Sequence, residues 1–214
     1  MTAKEVLKLA RQELLAFMEN HGYRKSAQGY FIKSQEGFEK CITFIVSRWS
    51  DGSGFHVDHY AAYRLPAFAE IHNRYLSHVS EREKKLTPTI SVYFLNLVSQ
   101  GFDWKEVTVA GESDILRVAA NIERICMLFS FPFLDRFASS DAIVQGFRGE
   151  RNTWPVQDPI LRFELLLLDS VLKHDSSSFN RSFDEALQFC EGRKDGRAVW
   201  LSSLAQSLKE DYWP

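Results

Sequence analysis

The sequence has few cysteines, and they lack the spacings that cysteine sites require. Cys41, Cys126 and Cys190 are odd in number and far apart, and no C-x-x-C pair occurs. Secreted disulfide frameworks use an even set of cysteines, and structural zinc sites use closely spaced pairs. The pattern excludes both kinds of site, and it predicts three reduced thiols in the core.

Excess charge and long apolar runs are also missing. Lys plus Arg number 26 and Asp plus Glu 28, so the formal net charge is −2. Such a chain has no general basic field for nucleic acid or anionic lipid. The longest apolar stretch, residues 160 to 172, is interrupted by charges and is shorter than the ~20 residues of a membrane span. The N-terminus has no signal pattern. We expect a cytoplasmic protein without a membrane partner.

The common catalytic motifs are absent as well. No H-E-x-x-H, G-x-S-x-G, Walker or G-x-G-x-x-G segment occurs in the chain. The histidines do not fall at the spacings of a metal site. We therefore expect no cofactor and no metal ion. The absence favours a protein without catalytic activity and leaves the enzyme question open.

What the chain does have is apolar and aromatic material in strand-like runs. Hydrophobic residues make up 45% and aromatic residues 14% of the 214 residues, enough for a substantial core. Thr2 and Glu5 have capping-box spacing, which predicts a first helix. Aromatic and β-branched runs punctuated by turn residues then predict strands. These strands are expected at 29–33, 41–49, 54–65, 88–98 and 104–109.

The second half of the chain changes to helical periodicity. Residues 145 to 159 are polar and predict an irregular segment. Helices are expected from Ser113 to the F-P-F segment at 131–133, from Pro159, near 180–191 and near 197–210. The predicted fold class is α+β, an antiparallel sheet of four to five strands packed with helices and followed by a helical C-terminal part. We place a sheet domain at 1–137 and a helical subdomain at 138–214, two parts that can pack as one unit.

The segment D-G-S-G-F-H-V-D-H-Y at 51–60 is the strongest candidate for a site. On a strand, side chains alternate between faces, so His56 and His59 point to opposite sides and cannot share a metal ion. His56, Asp58 and Tyr60 do share a face. They form either a hydrogen-bonded polar cluster or half of a site, with His56 and Asp58 as acid/base residues completed from elsewhere.

Aromatic residues in turns and loops suggest anchors for a partner. Trp49 stands next to a turn, and Trp154 follows Arg148 in a loop with glycine and proline. The candidate binding residues are Trp49, His56, Asp58, Tyr60, Arg148 and Trp154. The alternative is that each tryptophan covers the core locally.

A second set of aromatic and basic side chains resembles what single-stranded nucleic acid needs. Aromatic rings stack on bases while cations contact phosphates. The set is Tyr23, Arg24, Lys25, Tyr30, Arg48 and Trp49. The near-neutral net charge favours packing over nucleic-acid binding.

The order of a first helix, G-Y-R-K at 22–25, G-Y-F at 29–31, I-T-F-I-V-S-R-W at 42–49 and G-F-H-V-D-H-Y at 54–60 resembles a bacterial family. That family is known as domain of unknown function 4304. The resemblance covers about the first half of the chain and implies a small α+β protein with an antiparallel sheet. Ile45 stands where the family has Gln, so no polar site is carried over there.

From these features we expect a non-enzymatic cytosolic protein-interaction module, for example an immunity-type binder. The expected partner is another protein. The alternatives are an enzyme with a site assembled around His56 and Asp58, and a single-stranded nucleic-acid binder. The identity of the partner and the oligomeric state stay open.

Overall fold

The structure is a computed structural model that describes residues 1–76, 80, 84, 89–98, 102–148 and 159–213. The chain forms two compact units, each built from two segments. The first unit comprises Met1–Arg64 and Ile90–Phe137, and the second comprises Leu65–Thr89 and Ala138–Pro214. The predicted α+β fold class is confirmed.

The first unit contains one antiparallel sheet. Its strands are β1 (Arg24–Lys25), β2 (Phe31–Gln35), β3 (Phe38–Arg48), β4 (Phe55–Arg64), β5 (Ile90–Tyr93) and β6 (Thr108–Val109). The first five follow one another in the order of the sequence, and β6 also pairs with β4. Both β5 and β6 lie along the edge of β4 that β3 leaves open, at opposite ends of that strand.

The turn between β3 and β4 depends on two glycines. Gly52 has a φ of 74°, a conformation that residues with a Cβ atom rarely adopt. A Cβ atom on Gly54 would lie 2.7 Å from the carbonyl oxygen of Val109, so this glycine allows β6 to approach β4. The turn thus fixes both the hairpin and the position of the chain that leads into β6.

Helices cover one face of the sheet. They are α1 (Ala3–Asn20), α3 (Ile115–Ile125) and the short α4 (Phe131–Leu134). Thr2 and Glu5 form the predicted capping box at the start of α1. The buried residues of α1, namely Val6, Ala10, Leu14 and Met18, form one stripe that packs toward β3, β4 and α3.

A π-helical turn, Cys126–Ser130, separates α3 from α4. It places the hydroxyl of Ser130 2.7 Å from Nε2 of His59 in β4. One turn later, the carbonyl of Phe133 accepts a 2.7 Å hydrogen bond from the hydroxyl of Tyr63. The long helix that the sequence predicts is therefore interrupted near the F-P-F segment. Ser130 and Phe133, at this interruption, hydrogen-bond to side chains of the sheet.

The second unit is helical in the part that the structure describes. Its helices are α2 (Pro66–Tyr75), α5 (Ser140–Arg148), α6 (Pro159–Leu172), α7 (Ser176–Cys190) and α8 (Gly196–Tyr212). Buried leucines on nearly every side of α6 put this helix at the centre of the unit. Lys173, just after α6, bridges Asp141 and the buried Asp169 at 2.8 Å each. No helix among the described residues is long and apolar enough to span a bilayer.

Three predicted elements were wrong in detail. The strand expected at 88–98 is only β5, and a 3₁₀ turn, Phe94–Asn96, follows it. The strand expected at 104–109 is a 3₁₀ helix, Trp104–Val107, followed by the two residues of β6. The segment 145–159 is helical as far as Arg148, and residues 149–158 lie outside the described residues.

The assignment of residues 65–89 also differs from the expected division. We placed these residues with the sheet in 1–137, whereas they cluster with Ala138–Pro214 in the second unit. They leave the sheet after β4 and return at β5, where Tyr63 pairs directly with Ile90. Residues 65–89 are thus an excursion between two neighbouring strands.

Candidate functional site

The two faces of β4 have different surroundings. Val57, His59, Ala61 and Tyr63 face the helices and are buried. His56, Asp58 and Tyr60 face the other way, beside Ser47, Ile45 and Thr43 of β3. Most of these neighbours are half-buried, and Asp58 is fully buried. The alternation predicted from the sequence places the candidate site on the half-exposed face.

His56 and Asp58 contact each other on this face. Nε2 of His56 lies 3.1 Å from Oδ2 of Asp58, with the side chains 16% and 3% exposed. The hydroxyl of Tyr93 in β5 lies beside the carboxyl of Asp58 and interacts with it electrostatically. Burial raises the pKa of Asp58, and the imidazole of His56 and the hydroxyl of Tyr93 oppose that rise.

Two buried polar atoms of this pair have no hydrogen-bond partner among the described residues. They are Oδ1 of Asp58 and Nδ1 of His56. A buried polar atom without a partner costs about 1–3 kcal/mol, so most folds avoid it. The fold therefore holds the pair in place while one polar atom of each side chain makes no hydrogen bond.

Aromatic rings surround His56. Its ring lies 5.0 Å from the ring of Trp49 and 5.2 Å from that of Trp104, and the two indoles are 6.1 Å apart. Phe102 packs 5.8 Å from Trp104, and Tyr60 packs 5.2 Å from Tyr93. All five of these aromatic residues are half-buried. We call this group the Trp49–Trp104 surface, comprising Trp49, His56, Asp58, Tyr60, Tyr93, Phe102 and Trp104.

Some of these residues could be predicted from the sequence and some could not. Trp49, His56, Asp58 and Tyr60 come from the β3–β4 hairpin, where alternation identifies the shared face. Trp104 was missed because its segment was read as a strand, whereas the side chain of Asp103 caps a 3₁₀ helix there. Tyr93 and Phe102 were missed for a different reason, because only the tertiary fold brings β5 and the segment before the 3₁₀ helix to β4.

The side chains of two predicted binding residues lie outside the described residues, and two further aromatic side chains pack within the second unit. Trp154 lies outside the described residues, and so does the side chain of Arg148, whose backbone ends α5. Trp213 packs against Phe179 within the second unit, with ring centroids 4.3 Å apart. His72 contacts Trp200 in the same unit, and burial lowers the pKa of that histidine.

The histidine on the opposite face of β4 belongs to the core. His59 stacks on Phe94 and contacts Ser130 at 2.7 Å and the sulfur of Cys126 at 3.9 Å. Burial lowers the pKa of His59 to about 3 and raises the pKa of Cys126. A neutral thiol that is fully buried is a poor nucleophile. This contact between a cysteine and a histidine is therefore structural.

The predicted reduced thiols are confirmed, since Cys41, Cys126 and Cys190 are all free and buried. Burial, with a smaller contribution from Glu39, raises the pKa of Cys41 to about 12. Cys41 therefore stays protonated in the neutral range and is not a nucleophile activated by a nearby base.

One residue of the set considered for nucleic-acid binding is buried and cannot contact a base. Tyr23 is buried, and its ring stacks on Phe131 at 5.3 Å. Its ring cannot also stack on a base. Arg24 and Lys25 form the two-residue edge strand β1, where charged side chains protect the sheet from pairing with other chains.

The structure also limits metal and family assignments. Within the described ranges, no group of three or more His, Cys, Asp or Glu side chains is placed to hold a metal ion. Comparison of the chain with protein-family models, with curated proteins and with solved structures gave no match. The resemblance to domain of unknown function 4304 therefore stays a prediction.

Proposed function

We propose that the protein is a non-enzymatic protein-interaction module whose binding surface is the Trp49–Trp104 surface. The observation that carries the proposal is the set of half-exposed aromatic rings gathered around His56, which contacts Asp58, on one face of the sheet. Tryptophan, tyrosine and arginine dominate the binding energy of protein interfaces, and this surface places two tryptophans in contact.

The surface is rigid enough to bind without large rearrangement. Trp49 and His56 are held by opposite ends of the β3–β4 turn, where the amide of Trp49 donates to the carbonyl of Gly54. Trp104 is fixed by a capped 3₁₀ helix next to β6. A preorganised aromatic surface loses little conformational entropy on binding, which raises affinity.

The test is affinity capture followed by measurement with the purified partner. The chain, immobilised through its N-terminus, is incubated with lysate of its native cell, and any stoichiometric protein is identified and purified. We expect the Trp49→Ala, Trp104→Ala double variant to bind that protein about a hundredfold more weakly. Trp213→Ala, a half-buried tryptophan of the second unit, is the control and should bind normally. Equal binding by the double variant would reject the surface.

An enzymatic function is the second candidate, favoured by the 3.1 Å contact between His56 and Asp58. A carboxylate that orients an imidazole is the arrangement of a general base. The second ring nitrogen, Nδ1, is buried, so a substrate cannot reach it in this conformation. Substrate screening with a His56→Gln variant tests this function, and an activity lost in that variant would establish it.

A further inference from the structure

We infer that the Trp49–Trp104 surface takes an arginine side chain of the partner protein, whose guanidinium stacks on an indole and donates to Asp58 and His56. The inference rests on the proposed function and names the chemical group that this surface would recognise.

The first support is the leftover bonding capacity of the pair. Oδ1 of Asp58 is an acceptor whenever the carboxyl is ionised. When the imidazole is neutral and its Nε2–H donates to Asp58, Nδ1 of His56 is an acceptor too. Both atoms are buried and have no partner among the residues that the structure describes. A ligand with several N–H donors would satisfy both.

The second support is the aromatic environment. The indoles of Trp49 and Trp104 are half-buried and meet edge to face, 6.1 Å apart. Cations are attracted to the faces of aromatic rings, and tryptophan is the strongest such site. An aromatic surface over a buried carboxylate therefore favours a ligand that combines a positive charge with a flat shape.

The charge at the rim does not oppose a cation. Asp51 is exposed in the turn that follows Trp49, and Asp103 is exposed beside Trp104. Hydrogen bonds from Ser53 lower the pKa of Asp51, so that carboxylate is negative in the neutral range. Arg48 reaches the same turn, since its guanidinium lies 3.6 Å from the position of a Cβ atom added to Gly52. With Lys105 beside Trp104, the described residues next to the two tryptophans carry two positive and two negative charges, a balanced rim that admits a cation.

Arginine fits these features better than lysine. Its guanidinium is planar, stacks on indole and carries five donors in a fixed fork, whereas an ammonium is a compact and strongly hydrated charge. Both acceptor atoms are covered in the free protein, so a side chain of the surface changes rotamer when the guanidinium enters, while the backbone of the hairpin and the 3₁₀ helix stays in place. The indole N–H resonances of Trp49 and Trp104 report that movement.

The test uses three blocked tripeptides, acetyl-Gly-X-Gly-amide with X as arginine, lysine or citrulline, titrated into the full chain labelled with ¹⁵N. Citrulline has the shape of arginine without its charge. We expect the arginine peptide to shift the indole resonances of Trp49 and Trp104, and the citrulline peptide to bind about tenfold more weakly. Asp58→Asn should weaken the arginine peptide by a similar factor, while Trp213→Leu should leave it unchanged.

Equal binding of the citrulline and arginine peptides, or no shift with the arginine peptide, would overturn the inference. So would lysine binding as tightly as arginine, or normal binding by a folded Asp58→Asn variant. If a captured partner depends on Trp49 and Trp104 while the arginine peptide does not bind, the arginine assignment fails and the protein-binding function stands. If no protein depends on these tryptophans, the function fails whatever the peptides do.

Discussion

His59 lies in the core between Phe94 and Ser130, and its burial links stability to pH. The histidine of the unfolded chain takes up a proton near pH 6.5, whereas His59 in the fold stays neutral until about pH 3. The contribution of neutral His59 to the free energy of unfolding is fully present above pH 6.5. It is lost as the pH falls from 6.5 to about 3, by up to ~1.4 kcal/mol per pH unit. We expect His59→Gln to lose less stability than the parent between about pH 7 and pH 5.

Urea unfolding at several pH values measures this difference. His174→Asn, at an exposed histidine with a φ of 51° that asparagine tolerates, is the control and should keep the parent slope. Identical pH dependence of His59→Gln and the parent would show that the buried imidazole does not govern acid sensitivity.

Lys40 and Asp135 form an asymmetric ion pair. Nζ of Lys40 lies 2.6 Å from Oδ1 of Asp135, and the two side chains are 9% and 63% exposed. Asp135→Ala leaves a buried ammonium without its carboxylate and should cost about 1–3 kcal/mol of unfolding free energy. Lys40→Met leaves a solvated carboxylate and should cost less. Urea unfolding of the two variants measures the order, and a larger loss in Lys40→Met would contradict this account.

At the level of elements, the contact between the β3–β4 turn and β6 depends on the missing side chain of Gly54. Gly54→Ala would place a methyl group 2.7 Å from the carbonyl oxygen of Val109. Because backbone must shift to relieve the clash, we expect a loss of about 1–3 kcal/mol in thermal or urea unfolding. The indole resonance of Trp104, four residues before β6, should move as well.

Gly196 provides the matched control for that substitution. It begins α8, and a Cβ atom added there meets no atom within 4 Å. Gly196→Ala should leave stability unchanged or raise it by up to about 1 kcal/mol. If both alanine variants unfold at the same denaturant concentration, the approach of β6 to Gly54 does not constrain the fold.

Helices and strands that a local sequence pattern specifies could be predicted, and those that depend on tertiary contacts could not. The capping box of α1 and the hairpin of β3 and β4 are local, so residue spacing and turn chemistry were sufficient. Residues 94–98 continue an apolar run, but the chain turns at Phe94 into a 3₁₀ helix that the apolar pattern does not indicate. Helix α5 was missed although Ser139 caps it and Ile143, Val144 and Phe147 are buried, because residues 145–159 were interpreted as a polar, irregular segment.

The same distinction explains the candidate site. Alternation along β4 predicts which residues join His56, and the structure places Asp58 3.1 Å from it. Trp104 reaches the site only because β6 pairs with the start of β4, and nothing in the sequence near Trp104 indicates that pairing. Local patterns thus predict half of a surface that two distant segments complete.

For the whole molecule, the central fact is that each compact unit is discontinuous in sequence. Tyr63 and Ile90 are paired neighbours in the sheet, so a short turn can join Arg64 to Ile90. We expect a chain with such a turn in place of residues 65–89, ending at Phe137, to fold as the first unit. Cooperative urea unfolding and a near-ultraviolet circular dichroism signal from Trp49 and Trp104 would show this.

The control is a chain that also ends at Phe137 but keeps residues 65–89. In the intact protein Phe68, Ile71 and Leu76 are buried, and α2 packs on α6. Without α6 these apolar side chains lose that cover, so this chain should bind a hydrophobic dye and aggregate. A redesigned chain that unfolds without cooperativity would show that the first unit does not fold alone.

The π-helical turn at Cys126–Ser130 should allow this segment to lose one residue. A π turn holds one more residue than the α-helical turn it replaces, so deletion of Met127 or Leu128, both exposed, would let the segment become regular α-helix. Because the π turn accommodates its extra residue locally, the later residues would keep their positions about the helix axis. Ser130 would stay beside His59 and Phe133 beside Tyr63, so a one-residue deletion on the surface would preserve the buried partners of β4.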